Sequence, residues 1–362
     1  MLIEQVVQVS PVSELIEEPV RFEPRPRSES PIDPLQDCQN WTWQQVTSRA
    51  VTDPSTLASL LGISNASLTS VTQENAFGLR IPHTFIARMQ QGNPADPLLL
   101  QVLNQREEQQ IREKFSTDPL HEHTGSPCPG LIHKYSGRVL LTVASACPIN
   151  CRYCFRRHFP YEDNRLTPST WQPALNYIRQ NPSIQEVILS GGEPLMLKDS
   201  VLDTLLEEIE TIDHVQLVRI HTRFPVAVPQ RLTDPLIDRL STMRMPVTIV
   251  LHTNHPNEIN NTLIQALAKL RSSPVTLLNQ SVILKGINDC PEILNRLSRK
   301  LFSAGVLPYY LHVLDKVQGA AHFSIDDSDA RQLHQALVDQ LPGYLVPSLV
   351  REIPGQAAKT RL

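Results

Sequence analysis

The 362-residue chain contains no apolar run long enough to span a bilayer. Its start, Met1-Leu-Ile-Glu-Gln, lacks both a basic stretch and a continuous apolar stretch. Neither a membrane span nor a secretory signal is expected, and a cytosolic address follows. Charge of one sign is also scarce: 33 Lys and Arg stand against 37 Asp and Glu, for a net charge of −4. That balance gives no reason to expect nucleic acid or a membrane surface as partner. Cysteine is sparse, with Cys38, Cys128, Cys147, Cys151, Cys154 and Cys290 making six in all. Disulfide scaffolds spread cysteines through short secreted chains; here three crowd into eight residues, which points to metal binding or catalysis. Solenoid repeats and low-complexity tracts are absent as well. What remains is 41% hydrophobic residues, enough to bury a large core in one α/β domain with extensions.

The first ~35 residues hold Pro11, Pro19, Pro24, Pro26, Pro31 and Pro34 among scattered charges and read as a disordered leader (1–35). Residues 36–130 read as a helical N-terminal region. Asp53-Pro54-Ser55 starts one helix ahead of Leu57, Leu60 and Leu61, and Pro82 to about Gln110 reads as more helix. From about Leu131 short apolar runs alternate with amphipathic stretches. Candidate strands are Val139–Ser145, Glu186–Leu189, Leu217–His221, Val247–His252, Thr276–Leu284 and Tyr309–Leu314. Candidate helices between them include Trp171–Gln180, Val201–Thr211, Thr262–Arg271 and Glu292–Ala304. Repeated β-α units imply a parallel sheet, either barrel or doubly wound. Polar residues gather at the C-terminal strand ends, where such folds place their sites.

The first candidate strand runs into Cys147-Pro-Ile-Asn-Cys151-Arg-Tyr-Cys154-Phe-Arg156-Arg157. Thiolates bind iron–sulfur clusters and zinc. Structural zinc takes four ligands, commonly in paired C-x2-C arms, whereas three cysteines on a [4Fe-4S] cubane leave one iron open for a substrate or cofactor. A zinc site completed by His158 or Cys128, or a set of buried structural thiols, are the alternatives. Ser190-Gly191-Gly192-Glu193-Pro194 follows the next strand. Its glycines allow close backbone approach and its carboxylate can take an ammonium; alone it would read as a turn.

The C-x3-C-x2-C spacing after a strand resembles the signature of radical S-adenosylmethionine enzymes. That resemblance implies a partial (β/α)6 barrel and a [4Fe-4S] cluster on Cys147, Cys151 and Cys154. It also implies S-adenosylmethionine bound near Gly191, Gly192, Glu193, His252 and Gln280, and a reductant protein such as flavodoxin or ferredoxin. Further segments follow the order of the lysine 2,3-aminomutase group over roughly residues 50–362. They are His133-Lys134-Tyr135-Ser136-Gly137-Arg138, Leu278-Asn279-Gln280-Ser281-Val282, Pro308 to Asp315, and Glu352-Ile-Pro354-Gly355-Gln-Ala-Ala-Lys359. Resemblance to that group implies pyridoxal 5′-phosphate (PLP) on Lys359, with Lys134, Tyr135 and Arg138 on its phosphate side. Arg156 is then the partner of the substrate carboxylate, and Asp315 and Glu352 receive the distal ammonium of L-lysine. On this reading 131–340 is the barrel and 341–362 a C-terminal segment carrying the PLP lysine. Gly355-Gln356-Ala357-Ala358 stands where the family often has a glycine run, and Glu352 where catabolic members typically have Asp.

The implied reaction is a 5′-deoxyadenosyl-radical, PLP-aldimine 2,3-amino shift, L-α-lysine to (R)-β-lysine. Cys151 to Tyr161 and Tyr309 to Phe323 look very like the short bacterial branch that supplies β-lysine to elongation factor P through a separate ligase. Zinc-binding cysteines of the longer catabolic enzymes are not found after Lys359, so structural zinc is not expected; a homo-oligomer is compatible. Two competing readings are a standalone metabolic aminomutase and, in another class, a non-catalytic iron–sulfur or metal-binding protein. The second would need neither Lys359 nor the Asp315/Glu352 pair.

Overall fold

In a computed structural model the described residues are 34–64, 77–122, 126–164 and 166–362. The leader expected over 1–35 falls almost wholly outside them. Residues 34–362 form one compact unit.

A nine-stranded sheet runs in sequential order: β1 (Leu131–Tyr135), β2 (Arg138–Ala144), β3 (Glu186–Gly191), β4 (Leu217–Thr222), β5 (Val247–His252), β6 (Thr276–Val282), β7 (Leu307–His312), β8 (Ser348–Arg351) and β9 (Thr360–Arg361). Every neighbouring pair from β2 to β8 is parallel, while β1/β2 and β8/β9 are antiparallel. The six expected strands are β2 to β7. β8 adds a seventh parallel strand to the partial barrel, and β9 folds back on it. The C-terminal segment 341–362 contributes β8 and β9 to this sheet.

Helices cover the outer face. Gln172–Gln180, Asp199–Glu210, Asp234–Ser241, Asn261–Arg271, Pro291–Ser303 and Asp327–Gln340 are the six crossovers between successive parallel strands. Each buries an apolar stripe: Pro291–Ser303 does so through Leu294, Leu297 and Leu301 at helical spacing. Caps fix their starts; Asn260 accepts a 3.0 Å hydrogen bond from the Leu263 amide. β3 is buried along its whole length, as expected of a strand covered on both faces.

The N-terminal region is less helical than its sequence suggests. Pro54–Leu61 forms with Asp53 as cap, its carboxylate accepting from the Thr56 amide at 2.8 Å. Between Pro82 and Gln110, however, there are only His83–Ile86, Pro97–Leu100 and a 3-10 turn at Arg106–Gln109. Pro94, Pro97 and Gly92, with positive φ, interrupt any longer run. Asp96 caps the Pro97 turn through the Leu98 and Leu99 amides. Among the described residues no helix is long and apolar enough to cross a membrane.

Candidate active site

The C-terminal ends of β2 to β8 open into one cavity of about 310 Å³. Its wall includes Cys147, Cys151, Cys154, Gly191, Gly192, Glu193, His252 and Gln280. It also includes Lys134, Tyr135, Arg138, Arg156, Asp315, Glu352 and Lys359. Residues more than 200 positions apart in sequence thus face a single space, because sequential parallel strands all end on one side.

The cysteine loop follows β2 and is tied down by buried charge. Arg152 is fully buried and meets Glu108 through Nε at 2.8 Å and through Nη2. Arg157 reaches the same carboxylate at 2.6 Å and the Arg152 carbonyl at 2.9 Å. Breaking a buried pair of this kind costs about 3–5 kcal/mol, because a charge is left without a partner. Arg223 donates to Cys151 Sγ at 2.8 Å and to Gln101 and Glu258 at 2.8 and 3.0 Å. Burial pushes the Cys147 thiol well up and the Cys154 thiol up to about 11, so both need a cationic centre to ionise. Among the described residues no three His, Cys, Asp or Glu side chains close on a point as ligands of one ion do. Cys147, Cys151 and Cys154 line one wall of the cavity, and three thiols are a donor set that suits an iron–sulfur cluster.

Gly191 and Gly192 lie where β3 leaves the sheet. A Cβ on Gly191 would sit 2.7 Å from the Ala144 carbonyl oxygen, and on Gly192 2.8 Å from that of Ala146, on the cysteine loop. Gly191 also has φ +118°, which an L side chain resists. Glu193 differs from its expected role. Its carboxylate accepts from the Leu195 amide (3.1 Å), the Thr222 hydroxyl (2.7 Å), and the Arg223 and Phe224 amides (2.9 and 3.1 Å). A carboxylate offers about four acceptor positions, and these donors fill them. Glu193 therefore locks the glycine turn to the end of β4, and no acceptor position is left for an ammonium. Burial pushes its carboxyl up to about 7 against those four bonds.

His252 and Gln280 end β5 and β6 and meet at 2.8 Å. Burial holds His252 neutral, down at about 3. His221, with its ring 5.8 Å from that of His252, and His312 are also held well below the usual histidine range by burial. The Nε2 atoms of His221 and His312 have no hydrogen-bond partner.

Five charges of alternating sign cross the cavity. Arg156 grips Glu122 with two bonds, at 2.7 and 3.0 Å, and touches the Ser190 hydroxyl at 2.9 Å. Lys134 bridges Glu122 (3.1 Å) and Glu352 Oε1 (3.0 Å), and Lys359 holds Glu352 Oε2 at 2.7 Å. Despite burial, Lys359 and Lys134 hold the Glu352 carboxyl down at about 2. Asp315 behaves oppositely: burial and then Glu352 push it up to about 7. Lys134 was expected beside a phosphate; its ammonium instead lies between two carboxylates, the lower-energy place for a part-buried cation. Arg138 stacks on the Tyr135 ring at 4.6 Å, and among the described residues no carboxylate pairs with it.

Sequence reasoning missed Glu122, Arg219, His221, Arg223, Tyr310 and His312, all on the same wall. For His221, Arg223 and His312 the strand-end position was the signal; Arg219 and Tyr310 lie within β4 and β7, and Glu122, on a loop before β1, offered none.

Sequential parallel strands, a cysteine triplet after the first of them and a glycine turn after the second define a radical SAM enzyme, and a family model described as the Radical SAM superfamily matches residues 141–297. The chain is 50% identical over 322 residues to an L-lysine 2,3-aminomutase of Escherichia coli K12, covering 88% of this chain and 94% of that one. It is 47% identical to one of Haemophilus influenzae (90% and 96% covered) and 35% to one of Clostridium subterminale (90% and 78%). The chain belongs to the lysine 2,3-aminomutase family. As a radical SAM family it carries a [4Fe-4S] cluster and uses S-adenosylmethionine.

Proposed function

We propose that this enzyme is an L-lysine 2,3-aminomutase converting L-α-lysine to (R)-β-lysine. The observation that carries this reading is the run of charges in the cavity. The Arg156 guanidinium, on Glu122, and the Glu352 and Asp315 carboxyls face one cavity with the cysteine loop, and Lys134 links Glu122 to Glu352. That polarity suits a molecule with a carboxylate at one end and an ammonium at the other, and it repels a second carboxylate.

Cys147, Cys151 and Cys154 hold the cluster, with Arg223 against Cys151. The backbone of Gly191 and Gly192 lies against S-adenosylmethionine, Glu193 fixes that turn, and His252 and Gln280 are further contacts. Lys359 holds PLP, and Tyr135 and Arg138 stand at its phosphate. When bound, these groups supply a carbon-centred radical able to remove a substrate hydrogen and a conjugated carbonyl able to carry an amino nitrogen. The protein does the rest. Arg156, with Nε and Nη2 held by Glu122, offers the α-carboxylate its Nη1 beside Ser190. When Lys359 leaves Glu352 Oε2 to hold the cofactor, that oxygen becomes free for the substrate's distal ammonium. Lys134 stays on Oε1 and keeps the carboxyl ionised. Buried neutral histidines line the wall without adding charge that would compete for either end.

The test is anaerobic reconstitution with iron, sulfide and PLP, followed by S-adenosylmethionine, reductant and L-lysine. β-Lysine is expected from the native enzyme and none from Lys359→Ala; full activity in that variant refutes the assignment. We also propose that the product serves elongation factor P, which rests on the resemblance of Cys151 to Tyr161 and Tyr309 to Phe323 to that branch. Deleting the gene should remove the β-lysyl increment from the intact mass of elongation factor P; an unchanged mass refutes this.

A further inference from the structure

Arg223 directly follows β4 and is 5% exposed. Its side chain reaches the cysteine loop, where Nη1 donates to Cys151 Sγ at 2.8 Å and to the Tyr153 hydroxyl. Nη2 fixes the fork: it donates to Gln101 Oε1 at 2.8 Å and to Glu258 Oε2 at 3.0 Å. Both anchors are fully buried. Glu258 is itself held, its Oε1 taking the Asn254 and His255 amides at 2.9 Å each. At the backbone, the Arg223 amide is tied to Glu193 at 2.9 Å. The guanidinium also lies against the rings of Phe85 and Tyr153, 5.5 and 5.4 Å from their centroids. A donor is thus held at a set place on one of the three clustered thiols, in buried surroundings.

Arginine keeps its proton in proteins, so the group facing the sulfur is a cation. Its counter-charge, Glu258, bonds the other nitrogen and leaves Nη1 to the sulfur. The potential of an iron–sulfur cluster responds to hydrogen bonds on its sulfurs, to net charge and to solvent exposure. A donor on a ligating sulfur draws electron density from it. A fixed cation nearby favours the state that has gained an electron, the more so where the dielectric is low. We propose that Arg223 acts through Cys151 as a positioning residue that raises the reduction potential of the [4Fe-4S] cluster. The cluster takes one electron from an external reductant, passing from the 2+ to the 1+ state, and no bond is made or broken. The inference rests on Cys151 as a cluster ligand and is independent of which amino acid is the substrate.

The experiment reconstitutes the native enzyme, Arg223→Met and Arg223→Lys anaerobically with iron and sulfide. Iron per chain is counted. The cluster is then titrated with titanium(III) citrate against viologen mediators, without S-adenosylmethionine, and its reduced state is followed by electron paramagnetic resonance. Methionine fills much of the arginine's volume with neither charge nor donor. Arg223→Met is expected to keep the native iron content and make the cluster at least tenfold harder to reduce, a downward shift of about 59 mV or more for one electron. In Arg223→Lys one ammonium replaces a two-nitrogen fork, so the charge stays near Glu258 and the shift should be downward but smaller, about threefold. That variant also serves if the Met variant does not fold. A reduction equilibrium within two-fold of native in the Met variant, or in the Lys variant should the Met variant not fold, overturns the inference. So does an upward shift. Loss of iron from both variants, with circular dichroism near native, also overturns it and assigns Arg223 to holding the loop. Native enzyme that takes up no iron overturns the assignment of a cluster to these cysteines, and this inference with it.

Discussion

Glu352 and Asp315 carry the same charge when ionised and share one cavity, yet their surroundings drive them apart. Two lysines hold Glu352 low, while burial and Glu352 itself hold a proton on Asp315 up to about pH 7. An ammonium arriving at Asp315 needs the ionised form. The folded pKa lies above the ordinary value of 3.8, so below about pH 7 the proton must leave before the cation can bind. The expected result is that lysine KM falls as pH rises from 6 to 8, by up to about 10-fold per unit on the acid side. Asp315→Asn should flatten that profile and raise KM throughout; an unchanged slope in the variant would contradict the assignment. Gly192 offers a second test at this scale. A methyl there meets the backbone of Ser145 and Ala146 at 2.8 Å, and backbone cannot yield cheaply. Gly192→Ala should displace the cysteine loop, so reconstituted enzyme should bind much less iron while its far-ultraviolet circular dichroism stays near native.

Among the elements, β8 does the least obvious work. It is four residues long, and its Leu349 (2% exposed) packs in a cluster with Leu311, Leu337 and Leu345. Arg351 clamps Asp327 with bonds of 2.6 and 2.5 Å, anchoring the strand to the preceding helix. Glu352 follows directly. Leu349→Ala should cost about 2–5 kcal/mol, as buried Leu truncations do, read as a lowered denaturant midpoint. It should also raise lysine KM by loosening the strand that carries Glu352; a loss of stability with KM unchanged would separate strand and site. β2 to β7 were legible because apolar runs between amphipathic helices carry a strong periodic signal. β8 and β9 were not: Ser-Leu-Val-Arg and Thr-Arg are too short for a period, and only pairing along the sheet makes them strands. The stretch from Pro82 to Gln110 misled in the other direction, since its leucines are buried without a continuous helix.

For the whole molecule, the features legible in the sequence were those compact along the chain: the cysteine triplet, the glycine turn, and the Lys359 segment with its family resemblance. What could not be read was how distant groups use one another. Glu122 closes on Arg156, Lys134 is drawn between two carboxylates, and Glu193 turns its oxygens into the wall. These are pairings across more than ten to more than 200 positions, and they exist only once the sheet has brought the strand ends together. The same convergence is the central claim: the radical source and the lysine site are one cavity. The most direct measurement supplies the reconstituted enzyme with L-lysine deuterated at C3, S-adenosylmethionine and reductant, and follows the label by mass spectrometry. Deuterium in the adenosyl 5′ carbon of the recovered cofactor, with β-lysine as product, is the predicted result. β-Lysine formed with no deuterium reaching the adenosyl group would contradict it.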